Sequence, residues 1–360
     1  MTHLAPGDRV FVRAPSWLGD FVMAEPLLRA LHERVGEGLA IAGHVRFLDL
    51  LHGPLEAVSR LERADVGELR AGDFDLALLL DGSWRSAWIV RRAGIGERVG
   101  LARGGRAALL TCALRPARER GAAAVGRGRT SRPPRWLPRP FDGVCAELGS
   151  LVGVEVRGRP RLTPTPSTLD AARERLAALG LVPGEPYLLL NAAARAGSAK
   201  GLPPSFWEGL LPRLKGLPRA LVLGAPGESG PARHLAAKAG ALALVDPPPD
   251  LGELAALCAG AVCVVTADGG ALHVARAVGA AAVVLFGPTD PRHLALAPER
   301  TRAQRLELAC SPCHLERCPL DPPARHACMS AHDPARAAAG VRELIGTSAT
   351  RAVASSSPRA

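Results

Sequence analysis

The chain has 360 residues, 48% of them hydrophobic, with 45 Lys and Arg against 34 Asp and Glu and a formal net charge of +11. That length allows two domains of ordinary size, and that apolar content excludes wholesale disorder. The positive charge leaves three classes of partner open: nucleic acid, an anionic membrane surface or an anionic substrate.

Residues 9–13 (Arg9-Val10-Phe11-Val12-Arg13) read as a first strand and not as the apolar core of an export signal. No apolar run approaches the roughly 20 residues that span a bilayer. A soluble cytoplasmic protein is expected, touching a membrane only from the inside. In that compartment the eight cysteines argue against a disulfide scaffold. A loop over 14–20 contains Gly19 and ends in Asp20. A helix over 21–34 follows, with Phe21, Ala24, Leu27, Leu28 and Leu31 on one stripe. Residues 39–42 form a candidate strand and 75–80 a clearer one, ending at Asp81-Gly82-Ser83. A helix from Trp84 to about Arg92 comes next, and Gly94, Gly96 and Gly100 mark its exit.

Between Arg115 and Arg139 stand eight arginines and one acid, Glu119, among glycines and prolines. This reads as a mobile basic loop. Trp136 stands alone there, whereas single-stranded nucleic-acid binding uses interleaved aromatics. A phosphate-rich lipid or glycolipid surface is therefore the expected partner, and nucleic acid is not. A solvated loop with no partner is the alternative. Residues 141–152 read as helix. Residues 156–167, with Pro160, Pro164 and Pro166, read as an inter-domain linker, and 169–179 as a helix closing at Gly180.

The second half alternates regularly. Strands are expected at 187–190, 220–223, 243–245, 262–266 and 281–286, and helices at 205–214, 232–239, 251–258 and around His273. Strand–turn–helix–strand spacing over 262–290 is a βαβ unit, and paired glycines at the mouth of its helix suit a phosphate. The fold class is α/β, with parallel sheets covered on both faces and ligands at the carboxyl ends of strands. After residue 298 the pattern weakens. A terminal helix is expected over 333–345, with Asp333 as N-cap and Pro334 at N1, then a frayed tail over 346–360.

Several residues at strand ends could carry chemistry. Asp20 could accept a proton from a hydroxyl, or cap the following helix. Lys200, one of three lysines in an arginine-rich chain, suits a phosphate contact, although a solvated lysine is the commoner case. Glu228, in a loop after 220–223, could take the hydroxyls of a ribose or be a plain loop acid. Asp268 could cap the helix or bind a sugar hydroxyl, and His273 could reach a ligand or be structural. Cys310, Cys313, Cys318 and Cys328 have the spacing C-x2-C-x4-C-x9-C. In a cytoplasmic chain this suggests tetrahedral zinc, the alternative being four reduced thiols packing a small lobe. Cys112, Cys145, Cys258 and Cys263 lie in apolar contexts and are expected in the core.

Taken together these motifs resemble the bacterial ADP-heptose:lipopolysaccharide heptosyltransferases of glycosyltransferase family nine, most closely the heptosyltransferase II branch. The resemblance rests on the segment from Ala14 to Ala24, on Asp81-Gly82-Ser83-Trp84-Arg85-Ser86-Ala87 and the glycines after it, on Asp268-Gly269-Gly270-Ala271-Leu272-His273 through Pro291, and on Cys310-Ser311-Pro312-Cys313 with Cys318 and Cys328. It implies a GT-B fold, two Rossmann-like doubly wound domains facing across a cleft. An acceptor-binding domain is expected over 1–157, a linker and first helix over 158–184, and a donor-binding domain over 185–332. It implies inverting transfer of L-glycero-D-manno-heptose from ADP-heptose to the lipid A–core acceptor at the inner face of the membrane, with no cofactor required for catalysis. Asp20 matches the family's catalytic base and Lys200 the lysine that meets the donor diphosphate. Ser198, Glu228, Asp268, Gly269, Gly270, Ala271 and His273 match the donor site, and Trp17, Ser83 and Arg85 the acceptor side. Three departures stand out. Gly269 replaces a usual Ser or Thr, Gly201-Leu202-Pro203 replaces an Arg or His followed by Trp-Pro, and Asn191-Ala192-Ala193-Ala194 lacks hydroxyls. They motivate two other readings: a family-nine transferase with a different acceptor or nucleotide sugar, or a sugar-nucleotide-binding protein with little catalysis.

Overall fold

Short, mainly apolar runs form the central strands, as a sheet covered on both faces requires. The computed structural model describes residues 3–61, 64–102, 105–115, 138–192, 198–224 and 229–356. It contains two units, Met1–Thr163 with Arg292–Ala295, and Pro164–Pro291 with Leu296–Ala360.

The first unit runs β1 (Val10–Arg13), α1 (Leu18–Val35), β2 (Leu39–Ala42), α2 (Val45–Leu48), β3 (Ser59–Leu61), α3 (Val66–Ala71), β4 (Leu76–Leu79), α4 (Trp84–Ala93), β5 (Glu97–Leu101), β6 (Cys112–Leu114) and α5 (Phe141–Leu151). Its strands pair in parallel in the order β3-β2-β1-β4-β5-β6. Successive side chains take opposite faces. Val10, Val12, Leu76 and Leu78 pack with Leu27, Leu28 and Leu31 of α1 and Leu148 of α5. Phe11, Ala77 and Leu79 pack with Leu69 of α3 and Ala87 and Val90 of α4.

The second unit runs α6 (Pro166–Ala178), β7 (Tyr187–Asn191), α7 (Pro204–Arg213), β8 (Arg219–Leu223), α8 (Ser229–Ala239), β9 (Leu242–Leu244), α9 (Leu251–Gly260), β10 (Cys263–Ala267), α10 (Gly270–Ala277), β11 (Ala282–Phe286), β12 (Thr301–Arg305), α11 (Ala327–Ser330) and α12 (Pro334–Ser356). The order is β12-β11-β10-β7-β8-β9, again all parallel. Counted from β7, this is the winding of the first sheet repeated. In each sheet the order reverses between two adjacent strands, β1 and β4 in one and β7 and β10 in the other. Ligands of such sheets bind outside the carboxyl ends at that point.

Several boundaries differ from expectation. Helix α1 starts at Leu18, with Trp17 at the N-cap and no side-chain cap bond. Asp20 therefore lies inside its first turn and does not cap it. Strands β3, β5, β6 and β12 were not anticipated: β12 reads TRAQR, and β5 contains the Gly100 taken as a helix exit. The terminal helix continues to Ser356, so the frayed tail expected from 346 is helical to that point. Cys145, Cys258 and Cys263 are buried as expected, whereas Cys112 is only half-buried on β6. Burial pushes the Cys258 and Cys263 thiols up to about 12, which leaves them inert. Residues 116–137 of the basic segment lie outside the described residues. Among the described residues no helix is long and apolar enough to cross a membrane.

Leu190, near the carboxyl end of β7, is 0% exposed. Leu190→Ala is expected to cost about 2–5 kcal/mol, read as a lower urea midpoint with an unchanged slope.

Candidate active site

Because β7 and β10 are neighbours and parallel, the segments after them leave the sheet side by side. Asn191, the last residue of β7, donates from Nδ2 to Thr266 Oγ1 on β10 at 3.0 Å. Beyond this contact Lys200 Nζ lies 3.1 Å from Asp268 Oδ2. Two hydrogen bonds fix the lysine's segment: Lys200 N donates to Ser198 Oγ at 3.2 Å, and Ala199 N to Glu316 O at 2.7 Å. Burial works to raise the Asp268 pKa, but the Lys200 charge, the Thr289 hydroxyl and His273 outweigh it, so the carboxyl sits below its ordinary value.

Asp268 leads into α10. Gly269 is the N-cap, in extended conformation and without a side-chain cap bond. Leu272 N already donates to Gly269 O at 3.1 Å. The Gly270 and Ala271 N–H groups, which have no helical acceptor, follow directly after the Asp268 that Lys200 contacts, a usual physical arrangement for holding an anion. A Cβ placed on Gly269 would meet nothing within 4 Å, so a serine would fit where the chain has none. His273 sits one turn in, buried, with Nε2 3.9 Å from Asp268 Oδ1. Burial pushes its pKa down to about 4 against the pull of Asp268, helped by Arg276 and Lys200. At neutral pH the imidazole is uncharged and the contact with Asp268 is not an ion pair. Its Nδ1 is buried without a hydrogen-bond partner among the described residues.

The first unit has its own cation–carboxylate cluster at the corresponding place. Arg13, ending β1, has Nε 3.9 Å from Asp81 Oδ2 beyond β4. Arg106 is 0% exposed and lies 3.4 Å from Asp81 Oδ1. It also donates to Leu101 O at 2.8 Å, Ser83 O at 2.8 Å and Leu79 O at 3.2 Å. Ser86 Oγ donates to Asp81 Oδ1 at 2.7 Å. Burial raises the Asp81 pKa, opposed by Ser86, Arg106 and Arg13. Gly100 is required here, since a Cβ would come within 2.9 Å of both Arg106 Nη2 and Leu79 O. The hydroxyl of Ser83 caps α4, accepting from Arg85 N at 3.1 Å and Ser86 N at 3.4 Å. Trp17 and Arg85 are exposed and Asp20 half-buried.

Of the residues singled out in the sequence, Ser198, Lys200, Asp268, Gly269, Gly270, Ala271 and His273 thus belong to the second unit. Trp17, Asp20, Ser83 and Arg85 belong to the first. Glu228 lies outside the described residues. Cys310, Cys313 and Cys318 all bear on Cys328, whose thiol is pushed up to about 11 by burial and then by these three. Among the described residues, however, no three His, Cys, Asp or Glu side chains are arranged to hold a metal ion. The expected zinc set is therefore not formed. Instead Cys318 Sγ accepts the His326 N–H at 3.3 Å, and Cys328 and Met329 pack against Gly287. The four thiols share one small lobe, with Cys310, Cys313 and Cys318 half-buried around the buried Cys328.

The profile of glycosyltransferase family 9 (heptosyltransferase) matches residues 63–323, more than half of the chain. The chain belongs to glycosyltransferase family 9. No curated protein sequence matches it. Among solved structures, ADP-heptose LPS heptosyltransferase II of E. coli aligns with a TM-score of 0.68 and 19% identity, over 95% of this chain and 99% of that one. A family 9 glycosyl transferase from Veillonella parvula aligns at 0.75 and 14% identity, over 96% and 99%. E. coli heptosyltransferase WaaC, solved with ADP-2-deoxy-2-fluoro heptose, aligns at 0.61 and 19% identity, over 94% and 99%. The fold is that of these GT-B heptosyltransferases, and the chain is a glycosyltransferase.

Two features of this family 9 enzyme escaped the sequence. Arg106 looked like one more arginine in an arginine-rich chain. The Glu316 carbonyl that holds the lysine segment carries no sequence signal at all.

Two measurements check the electrostatics. Arg106→Met strands Asp81 in a buried site and is expected to cost about 3–5 kcal/mol by denaturant titration; Asp81→Asn in the same chain should recover part of the loss. His273 gives a pH signature. Below about pH 6.5 the unfolded chain takes up a proton that folded His273 refuses until about pH 4. Stability should fall as pH drops through that window, by about 3 kcal/mol at most. His273→Gln should show a shallower fall between pH 6.5 and 4.5, with the loss from Asp268 appearing only below it.

Proposed function

We propose that this glycosyltransferase moves L-glycero-D-manno-heptose from ADP-heptose onto the inner core of lipopolysaccharide, with inversion, in a heptosyltransferase II-like role. The observation that carries the reading is the Lys200–Asp268 pair beside the uncapped start of α10 at the reversal point of the second sheet. A lysine next to open backbone N–H groups is a diphosphate site. Asp268 and the neutral His273 beside it supply a carboxylate and an unprotonated imidazole for sugar hydroxyls. The E. coli relatives named for ADP-heptose, one of them solved with a fluorinated ADP-heptose, support that choice of donor. Glu228 is assigned to the ribose on the sequence match alone.

In this reading Asp20 takes the proton of the acceptor hydroxyl while its oxygen attacks the anomeric carbon. The bond from that carbon to the ADP oxygen breaks, and its electron pair leaves with ADP. Lys200 and the N–H groups at Gly270 and Ala271 hold the charge that develops on the departing diphosphate, a form of stabilisation often worth several kcal/mol. These groups are sufficient to neutralise the leaving group without a catalytic metal. Trp17, Ser83 and Arg85 are assigned to the acceptor, and the protein to the inner face of the cytoplasmic membrane as a peripheral enzyme. The open space at Gly269 favours one second reading, a family 9 transferase with another nucleotide sugar, because a hydroxyl contact to the donor is absent there.

The deciding experiment presents ADP-heptose and competing ADP- and UDP-hexoses with defined truncated core acceptors, and reads products by mass spectrometry. Heptose transfer to an inner-core acceptor is expected. A faster reaction with a hexose donor would overturn the donor assignment. Asp20→Ala should lose about 10²–10⁴-fold in kcat with ADP-heptose affinity kept, whereas Lys200→Ala should lose both affinity and rate. Near-normal turnover by the Asp20 variant would remove it as the base.

A further inference from the structure

Most large apolar side chains of the described residues are enclosed, and of the six exceptions four lie together in the first unit: Trp17 is 59% exposed, Val45 44%, Trp84 54% and Trp88 41%. The other two, Val182 at 67% and Leu315 at 42%, belong to the second unit and have no aromatic beside them among the exposed set. Trp17 follows β1, Val45 follows β2 and Trp84 follows β4. Since β2, β1 and β4 are adjacent and parallel, all three leave the first sheet at the same carboxyl end. Trp88 lies one turn beyond Trp84 on the same side of α4.

Helix α4 reads WRSAWIVRRA, with three arginines and no acid. Its Ala87, Val90 and Ala93 are buried against the sheet, so the core consumes one face and the tryptophans lie outside it. Arg46, Arg85, Arg91 and Arg92 are exposed around them. The Arg92 guanidinium stands 5.6 Å from the Trp88 ring centroid, a cation–π approach that keeps an arginine beside the ring. Helix α4 therefore has an outer face of tryptophan and arginine and nothing negative. An amphipathic ring with a polar N–H is most stable at the head-group level of a bilayer. Each surface arginine near anionic lipid adds about 1 kcal/mol. A protein partner of the same chemistry would need acids opposite every arginine, whereas an anionic bilayer offers them in any register.

We infer that this rim, with α4 foremost, docks on the surface of an anionic phospholipid bilayer, Trp84 and Trp88 entering the head-group layer and Arg91 and Arg92 resting on phosphates. The inference deepens the acceptor assignment, because Trp17, Ser83 and Arg85 leave the sheet at the same end. A lipid-borne acceptor would then be presented where the protein meets the membrane. It differs from the expectation placed on residues 115–139, since it rests on aromatic residues as well as charge.

The test needs neither donor nor acceptor, so its failure is separate from failure of the transfer assignment. Full-length protein is floated with phosphatidylcholine vesicles with and without phosphatidylglycerol. Tryptophan emission is followed with lipids brominated on their acyl chains. Wild type should float only with the anionic vesicles, with blue-shifted and quenched emission. W84A with W88A should lose about tenfold or more in vesicle affinity while keeping its far-UV circular dichroism and its turnover on a water-soluble, deacylated acceptor. R91E with R92E gives a second variant that leaves the aromatic rings in place and should lose vesicle binding as well. Failure of wild type to float, or wild-type flotation by W84A with W88A, would overturn the inference. So would binding that added RNA abolishes while the tryptophan variant retains it.

Discussion

In both units a carboxylate just beyond a central strand, Asp81 after β4 and Asp268 after β10, is met by a cation from elsewhere in the same unit, Arg106 and Lys200 respectively. The two pairs lie in very different dielectric surroundings. Arg106 is fully enclosed, with its guanidinium shared among Asp81 and three carbonyls. A buried pair satisfied this fully is fixed, because removing either member leaves the other charged without water. Lys200 has 41% of its side chain exposed and a single carboxylate at 3.1 Å. That pair is weak enough to be remade. The lysine is thus held in place by Asp268 and is still free to turn to another anion.

The alternation of apolar runs and helical stripes made the two parallel sheets readable, because β1, β4, β7, β10 and β11 are enclosed on both faces and confine their polar residues, Arg13, Asn191 and Thr266, to their carboxyl ends. Of the edge strands β9 was readable as an apolar run, but β3, β6 and β12 were not, for the opposite physical reason. Strand β12 (TRAQR) buries Thr301 and Gln304 on opposite faces, with Gln304 Nε2 donating to Arg336 O on α12 at 3.0 Å. Its buried positions are therefore polar and show no hydrophobic period. The early start of α1 was hidden because Trp17 offers no capping side chain, so a boundary drawn at Asp20 looked better on capping chemistry than the true one.

The candidate site shows the same division. Lys200 and Asp268 could be picked out singly as residues after strands, but 68 positions separate them, and only the adjacency of β7 and β10 makes them partners. The cysteine spacing pointed to zinc and the thiols do gather, yet gathering is a weaker condition than tetrahedral convergence. Spacing constrains which residues share a lobe and says little about where their lone pairs aim.

The hydrogen bond from Ala199 to the Glu316 carbonyl joins the cysteine-rich lobe to the lysine segment. The same lobe grips β11's exit through Ser311 Oγ, which donates to Gly287 O at 2.6 Å, and through the His314 N–H, which donates to Pro288 O at 2.7 Å. The thiols are thus mechanically in series with the Lys200–Asp268 pair. Alkylating or oxidising Cys310, Cys313 or Cys318 would strain a scaffold whose displacement reaches Lys200 through a single peptide linkage, which makes thiol chemistry a remote handle on where that lysine stands.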